Sequence, residues 1–307
     1  MVTSLAIVTP CMAADSDRPT GWPDAWPDAW FQPAKTASER GITSFSQSPI
    51  LDDRDLPPVA DRLPDDPVVV VPLGEIGVYG GTARITSDEW LTFPNVESPL
   101  TISADMRTFL PNLAESWSVS PDGRTITLRI RGGIKWSDGT PFTSEDFMFV
   151  FNDLWLNKEM SPVTDPNIIG GRAVKIDDLN FRYEFQNSNP LFVNRLAQYG
   201  NFLVAPKRYY RDFHPTYVDR ETLNERIREM GFISWMTFIN ACRRGLLEQS
   251  VDAPTLDAHR IVSSTPTLRR YERNPYYFKV DPRGQQLPYI DAVESKIIEN
   301  KEVITAM

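Results

Sequence analysis

The stretch Ser116–Phe147, "SWSVSPDGRTITLRIRGGIKWSDGTPFTSEDF", constrains the fold more than any other part of this chain. Pro121-Asp122-Gly123 is turn chemistry, and after it Ile126, Leu128 and Ile130 alternate with Thr and Arg. That pattern specifies a hairpin with one buried face. A second turn follows at Ser137-Asp138-Gly139. Thr143, with Asp146 three residues on, then forms a capping box in which Asp replaces the usual Glu or Gln. Phe147, Val150, Phe151 and Leu154 fall at i, i+3, i+4 and i+7, so the helix is expected to turn one apolar stripe to a core. The acids and the Lys135 cation of this region are read as turn and cap chemistry with a solvated Lys, and no catalytic pair is required.

Other elements follow from the same rules. Gly80-Gly81 breaks the chain before an alternating strand over Thr82–Thr86, and Phe181, Tyr183 and Phe185 mark another. Leu223, Ile227 and Met230 have helical spacing, as does the segment around "ISWMTFINACRRGLLEQ". The run "NPYYFKV" is expected to be an aromatic strand, followed by a turn at Asp281–Gly284 and a strand through Val293 and Ile297. Asn300 suits an N-cap, and Val303 and Met307 begin a helical pattern that stops before two turns are complete. The chain is therefore expected to be part of a longer one.

Upstream, "GWPDAWPDAWFQP" places a Pro every fourth residue, which forbids a continuous helix. Trp22, Trp26 and Trp30 are expected to pack on the parent domain or stay loosely ordered, and the Pro-rich segment to Pro67 to lie as an arm along a surface. The apolar run Leu5–Val8 with Ala13 and Ala14 beyond it suits a signal-peptide core and cleavage site, although no Lys or Arg precedes it. A lipid anchor on Cys11 fits poorly, because Pro10 stands where a small residue is wanted. No other segment approaches the roughly 20 apolar residues of a membrane span.

Composition excludes several classes. Over 307 residues the net charge is −9, which disfavours nucleic acid and anionic membrane as partners. Cys11 and Cys242 are too few for a disulfide framework, and His214 and His259 stand in no metal-ligand spacing. Cys242 is read as a small buried side chain rather than a nucleophile. No metal and no cofactor is expected. The 8 Trp, within 11% aromatic content, supply flat surfaces for sugars or peptides as well as core.

The segments "LPPVADRLPDDPVVV", "EIGVYGGTARI", "PNLAESWSVSPDGRTITLRIRGGIKWSDGTPFTSEDFMFVFNDLW" and "NPYYFKVDPRGQQLPYIDAV" occur here in the order found in the extracytoplasmic solute-binding proteins of ABC transporters, family 5, the oligopeptide and dipeptide class. The chain resembles that family from about Ser48 onward. The resemblance implies an α/β, periplasmic binding protein-like clamshell of type II, whose two lobes close on a ligand without catalysis. Residues 1–14 would be a signal-peptide remnant, 15–67 the arm, 68–295 lobe I with mixed β-sheets and flanking helices, and 296–307 the start of the crossover to an absent lobe II. It also implies a periplasmic, exported protein, monomeric at full length, that hands an oligopeptide to the ABC permease subunits. An oligosaccharide is the alternative ligand, because relatives with this long arm and the "VDPxGxQLPYID" insertion resemble oligosaccharide carriers. In the family, ligand contacts come partly from the loop after the first strand. Here that loop is "TSDEWLTFPNVESP", and Trp90, Phe93, Asn95 and Glu97 are the candidate substrate-binding residues. Ser98, inserted between Glu97 and Pro99, departs from the family's "EPL" pattern and leaves the register open by one residue. A carboxylate-dependent hydrolase is the competing class; no Gly-x-Ser-x-Gly elbow is present.

Overall fold

The computed structural model describes residues 36–72, 74–87, 97–103, 106–162, 165–198, 202–243 and 251–298. The Trp-Pro-Asp-Ala repeat, Cys11, and the helical start from Asn300 to Met307 lie outside the described residues. In chain order the strands are β1 (Val68–Val69), β2 (Thr82–Ser87), β3 (Leu100–Ile102), β4 (Phe109–Pro111), β5 (Ala114–Val119), β6 (Thr125–Ile130), β7 (Arg172–Lys175), β8 (Asn180–Glu184), β9 (His259–Ser264), β10 (Leu268–Arg273), β11 (Lys279–Val280) and β12 (Ala292–Ile297). The helices are α1 (Val59–Arg62), α2 (Ser144–Met148), α3 (Phe192–Gln198), α4 (Lys207–Tyr210), α5 (Arg220–Glu229) and α6 (Trp235–Arg243).

The hairpin forms as its sequence requires. β5 and β6 pair antiparallel, Gly123 takes the left-handed conformation at the turn (φ 68°), and Ile126, Leu128 and Ile130 are each fully buried. Strands β8 and β7 extend it into an antiparallel sheet of order β5-β6-β8-β7. A second four-stranded sheet, of order β2-β12-β10-β9, is mixed: β12 runs parallel to β2 and antiparallel to β10.

The helix after the cap differs from the single-stripe expectation. α2 continues as a π-helix over Phe149–Trp155, and the wider turn distributes apolar residues to two sides. Phe147 and Phe151 enter the core against the first sheet, with Phe181, Tyr183, Phe185 and Phe192. Phe149, Val150 and Leu154 enter a separate helical core with Tyr210, Leu223, Ile227, Trp235, Phe238 and Cys242. The segment is a shared wall between two cores, which its composition permits because every position from 147 to 151 is apolar. Cys242 is buried in this helical core, as expected of a small core residue.

The aromatic run also departs from expectation. Tyr276 N donates to Asn274 Oδ1 at 2.9 Å and Tyr277 N to Asn274 O at 3.2 Å, so Asn274–Tyr277 folds as a turn and only Lys279–Val280 pairs as a strand, with β1. From Thr36 to Pro67 the arm is built into the lobe. Ala37 and Leu63 join a small core with Val69 and Val280, Leu51 is buried, and Ser46 bridges to Gln285.

Asp146 ties this region together. Its carboxylate accepts from Thr143 N at 2.9 Å, Lys207 N at 2.9 Å and Trp136 Nε1 at 3.2 Å, while Asp138 accepts from Thr140 N at 2.9 Å. Lys135, read as solvated, stays partly exposed and donates to the Asp61 carbonyl. Burial pushes the Asp146 carboxyl up to about 6, against the three hydrogen bonds that favour its charged form. The folded state therefore holds this proton more tightly than the unfolded chain, so the group's contribution is present below pH ~4 and lost as pH rises through ~6. Asn cannot titrate. The destabilisation caused by Asp146→Asn is thus expected to shrink by about 2 kcal/mol between pH 4 and 6.5, read from urea unfolding of both proteins. A gap that stays constant with pH would contradict the assignment.

Candidate functional site

The second sheet positions the candidate site. Because β2 and β12 are parallel and in register, with Ser87 opposite Ile297, their carboxyl ends lie side by side. The β9–β10 turn at Thr265–Thr267 sits at the same end, where Ile297 N donates to Thr267 O at 2.9 Å. In open sheets with parallel strands, ligands lie outside the carboxyl ends, where backbone groups and loops converge. This rim is rich in hydroxyls: Thr86, Thr265 and Thr267 are exposed, and Ser263 is half-buried. Thr265 Oγ1 is committed locally, donating to Leu268 O at 3.0 Å.

Trp90, Phe93 and Asn95, in the segment that leaves β2 at this rim, lie outside the described residues. Glu97, where the chain re-enters the described structure, is only 4% exposed. Its Oε1 accepts from Tyr277 Oη at 2.6 Å and Lys279 Nζ at 2.9 Å, and its Oε2 from Lys279 Nζ and Asn112 Nδ2, each at 2.8 Å. Its backbone N donates to Asp257 Oδ1 at 3.3 Å. Glu97 is thus the hub of a buried clasp joining four separate segments, and its carboxylate is fully engaged by protein donors. Sequence reasoning missed Asn112, Tyr277 and Lys279 as its partners. The signal was a lone cation in an aromatic run: a Lys between Phe278 and Val280 is costly to bury unless a carboxylate meets it.

A second polar network lies beneath the inner face of the sheet. Arg273, 1% exposed, donates to Asp291 Oδ1 at 2.7 Å, to Pro288 O at 2.8 Å and to Gln286 O at 3.1 Å, and its guanidinium lies 4.8 Å from the Tyr79 ring centroid. Burial pulls the Arg273 guanidinium down from its ordinary value and Asp291 opposes that shift. His259 stands in the same layer, its Nε2 3.0 Å from Ile290 O, and burial lowers its pKa as well. These groups set the path of Pro288–Ala292 into β12. Among the described residues, no group of three or more His, Cys, Asp or Glu is arranged to hold a metal ion, and no helix is long and apolar enough to cross a membrane.

An α/β lobe built on two four-stranded sheets, with a parallel strand pair opening on a hydroxyl-rich rim, is the architecture of one half of a solute-binding clamshell. Residues 108–307 match the family model for the middle region of bacterial extracellular solute-binding proteins, family 5. The chain belongs to that family of ABC transporter solute-binding proteins. It is 32% identical over 276 residues to the periplasmic alpha-galactoside-binding protein of Rhizobium meliloti, covering 79% of this chain and 37% of the relative. Among solved structures, an oligopeptide-binding protein OppA superposes with a TM-score of 0.78 at 31% identity over 88% of this chain and 44% of its own. The periplasmic binding protein MelB of Agrobacterium fabrum C58, in complex with stachyose, superposes with a TM-score of 0.65 at 28% identity over 83% of this chain and 41% of its own. The chain spans less than half the length of each of these proteins.

Proposed function

We propose that this chain belongs to the capturing component of an ABC importer, which binds an oligosaccharide of the α-galactoside kind outside the cytoplasmic membrane and passes it, chemically unchanged, to the membrane permease. The observation that carries this reading is the extent of similarity to the alpha-galactoside-binding protein, which runs through most of the chain. The rim's hydroxyls and strand-end backbone groups suit a polyol ligand. The clamshell reading supports export, because a receptor of this kind meets its solute before the membrane does.

An oligopeptide ligand, the first expectation from sequence, remains the second reading, favoured by the backbone likeness to OppA. In that case main-chain hydrogen bonds at the strand ends would hold the peptide and side chains would occupy tolerant pockets. Titrating the intrinsic tryptophan fluorescence of the intact gene product with stachyose and raffinose, and separately with di- to pentapeptides, distinguishes the two. Saturable change with the galactosides alone is expected. Response to peptides alone would replace the first reading by the second, and hydrolysis of either ligand would overturn both.

A further inference from the structure

Resting on that reading of the chain as an importer component, the outer face of the β2-β12-β10-β9 sheet has a property the ligand rim does not explain. Side chains alternate across the sheet, so Arg84, Glu294, Lys296, Arg270, Glu272 and Arg260 point away from the layer that holds Arg273. Arg84 and Arg270 share the single carboxylate of Glu294, each with a guanidinium Nε 3.4 Å from one of its oxygens. Glu272 is likewise shared, between Arg260 and Arg54 from the arm. Lys296 is exposed and has no ion-pair partner among the described residues. Five cations therefore stand against two carboxylates on one face, in a chain whose net charge is −9. Arg84 and Arg270 keep 75% and 57% of their side chains in solvent, so most of their donors are open to a further acceptor.

We propose that this cationic face is a docking surface for an acidic patch on the importer's membrane-embedded permease. Arg84 and Arg270 stand on the strands either side of β12, flanking Glu294, and each guanidinium can form a two-pronged hydrogen-bonded pair with a further carboxylate. A flat anionic membrane is the poorer fit, since a plane of charge acts on the whole molecule and the remainder of this chain is more negative than its total. A local acidic patch interacts only with the face it touches, because screening limits the field to about 8–10 Å at physiological salt. Such pairs at an interface mainly raise the association rate and fix orientation.

The test compares the intact gene product with an Arg84→Ser/Arg270→Ser/Lys296→Ser variant for binding to its ABC permease in nanodiscs of neutral phosphatidylcholine, at low and high salt. The variant is expected to bind roughly tenfold more weakly at low salt and to lose most of the salt dependence, with stachyose or peptide titration unchanged. Lys296→Glu alone, at a position with no partner to lose, is expected to move permease binding the same way and keeps the test sound if the triple variant folds poorly. Permease affinity and salt dependence equal to the parent's would overturn the proposal. So would salt-sensitive binding of the parent to permease-free vesicles of phosphatidylglycerol, which would assign the face to lipid. Loss of ligand binding in the variants would instead place these residues in the capture site. Because ligand titration is read separately, a protein that docks but binds neither sugar nor peptide would defeat the functional reading and leave this surface standing.

Discussion

Lys279→Met is expected to lower the stability of the lobe by about 3–5 kcal/mol, as removal of one member of a buried ion pair does. The ammonium contacts both oxygens of Glu97, at 2.9 and 2.8 Å, and the two side chains are 16% and 4% exposed. Without it, a carboxylate sealed from water keeps only the neutral donors Tyr277 and Asn112. Methionine fills the space of the aliphatic stem, so the loss reports the missing charge more than a cavity. Adding Glu97→Gln to Lys279→Met removes the stranded charge and is expected to recover a large part of the stability, since well-packed neutral replacements of buried pairs are often tolerated. Urea unfolding of the three proteins gives the comparison. A Lys279→Met variant with the parent's midpoint would show that the clasp contributes nothing.

Arg62→Met is expected to cost about 3 kcal/mol, through several buried acceptors losing their donor at once. Arg62 is 1% exposed, although it sits in the arm. Its Nε donates to Pro57 O at 2.9 Å and its Nη2 to Gln47 Oε1, both within the arm. Its Nη1 donates to Pro275 O and, at 3.4 Å, to Gln286 Oε1 in the body of the lobe. Burial, with Arg273 nearby, pulls its pKa down from the usual guanidinium value, a sign of how far water is excluded. One planar group thus pins the arm to the lobe from inside. Arg62→Lys is expected to recover less than half the loss, because a point-like ammonium cannot reach acceptors spread around a fork. Limited proteolysis reads the same event locally: cleavage between Thr36 and Pro67 should accelerate in Arg62→Met before global unfolding does. Equal cleavage rates would sink the idea that this side chain is the pin.

How much of this was legible in the sequence depended on the range of the interaction. The β5–β6 hairpin, the Thr143–Asp146 cap and the strand at Thr82 follow from signals within ten residues of each other, and the structure carries all three. The family resemblance was legible for the same reason, since its motifs are strings of local turns and caps. What could not be read is pairing across distance. Nothing in Thr82–Ser87 says that its partner is Ala292–Ile297 or that the two run parallel, and nothing at Glu97 names Lys279. The two-sided helix was misread because a wholly apolar run has no polar face from which to take its phase, so a period of 3.6 was assumed where the turn widens. Nothing local marks Arg62 as buried, because the Pro275 carbonyl that receives it arrives from 213 residues away.

The parallel pairing of β2 with β12 has a consequence for how the molecule comes into being. At synthesis speeds of 5–20 residues per second, β2 waits roughly 10–40 s for its neighbour to leave the ribosome, while the β5–β6 hairpin can close within microseconds of emerging. The segments that brace the arm, Lys279–Val280 and Gln285–Gln286, are likewise made more than 200 residues after it. Through that interval a nascent chain of this kind holds a finished hairpin and an unfinished sheet, and whatever meets it then meets the bare edge of β2.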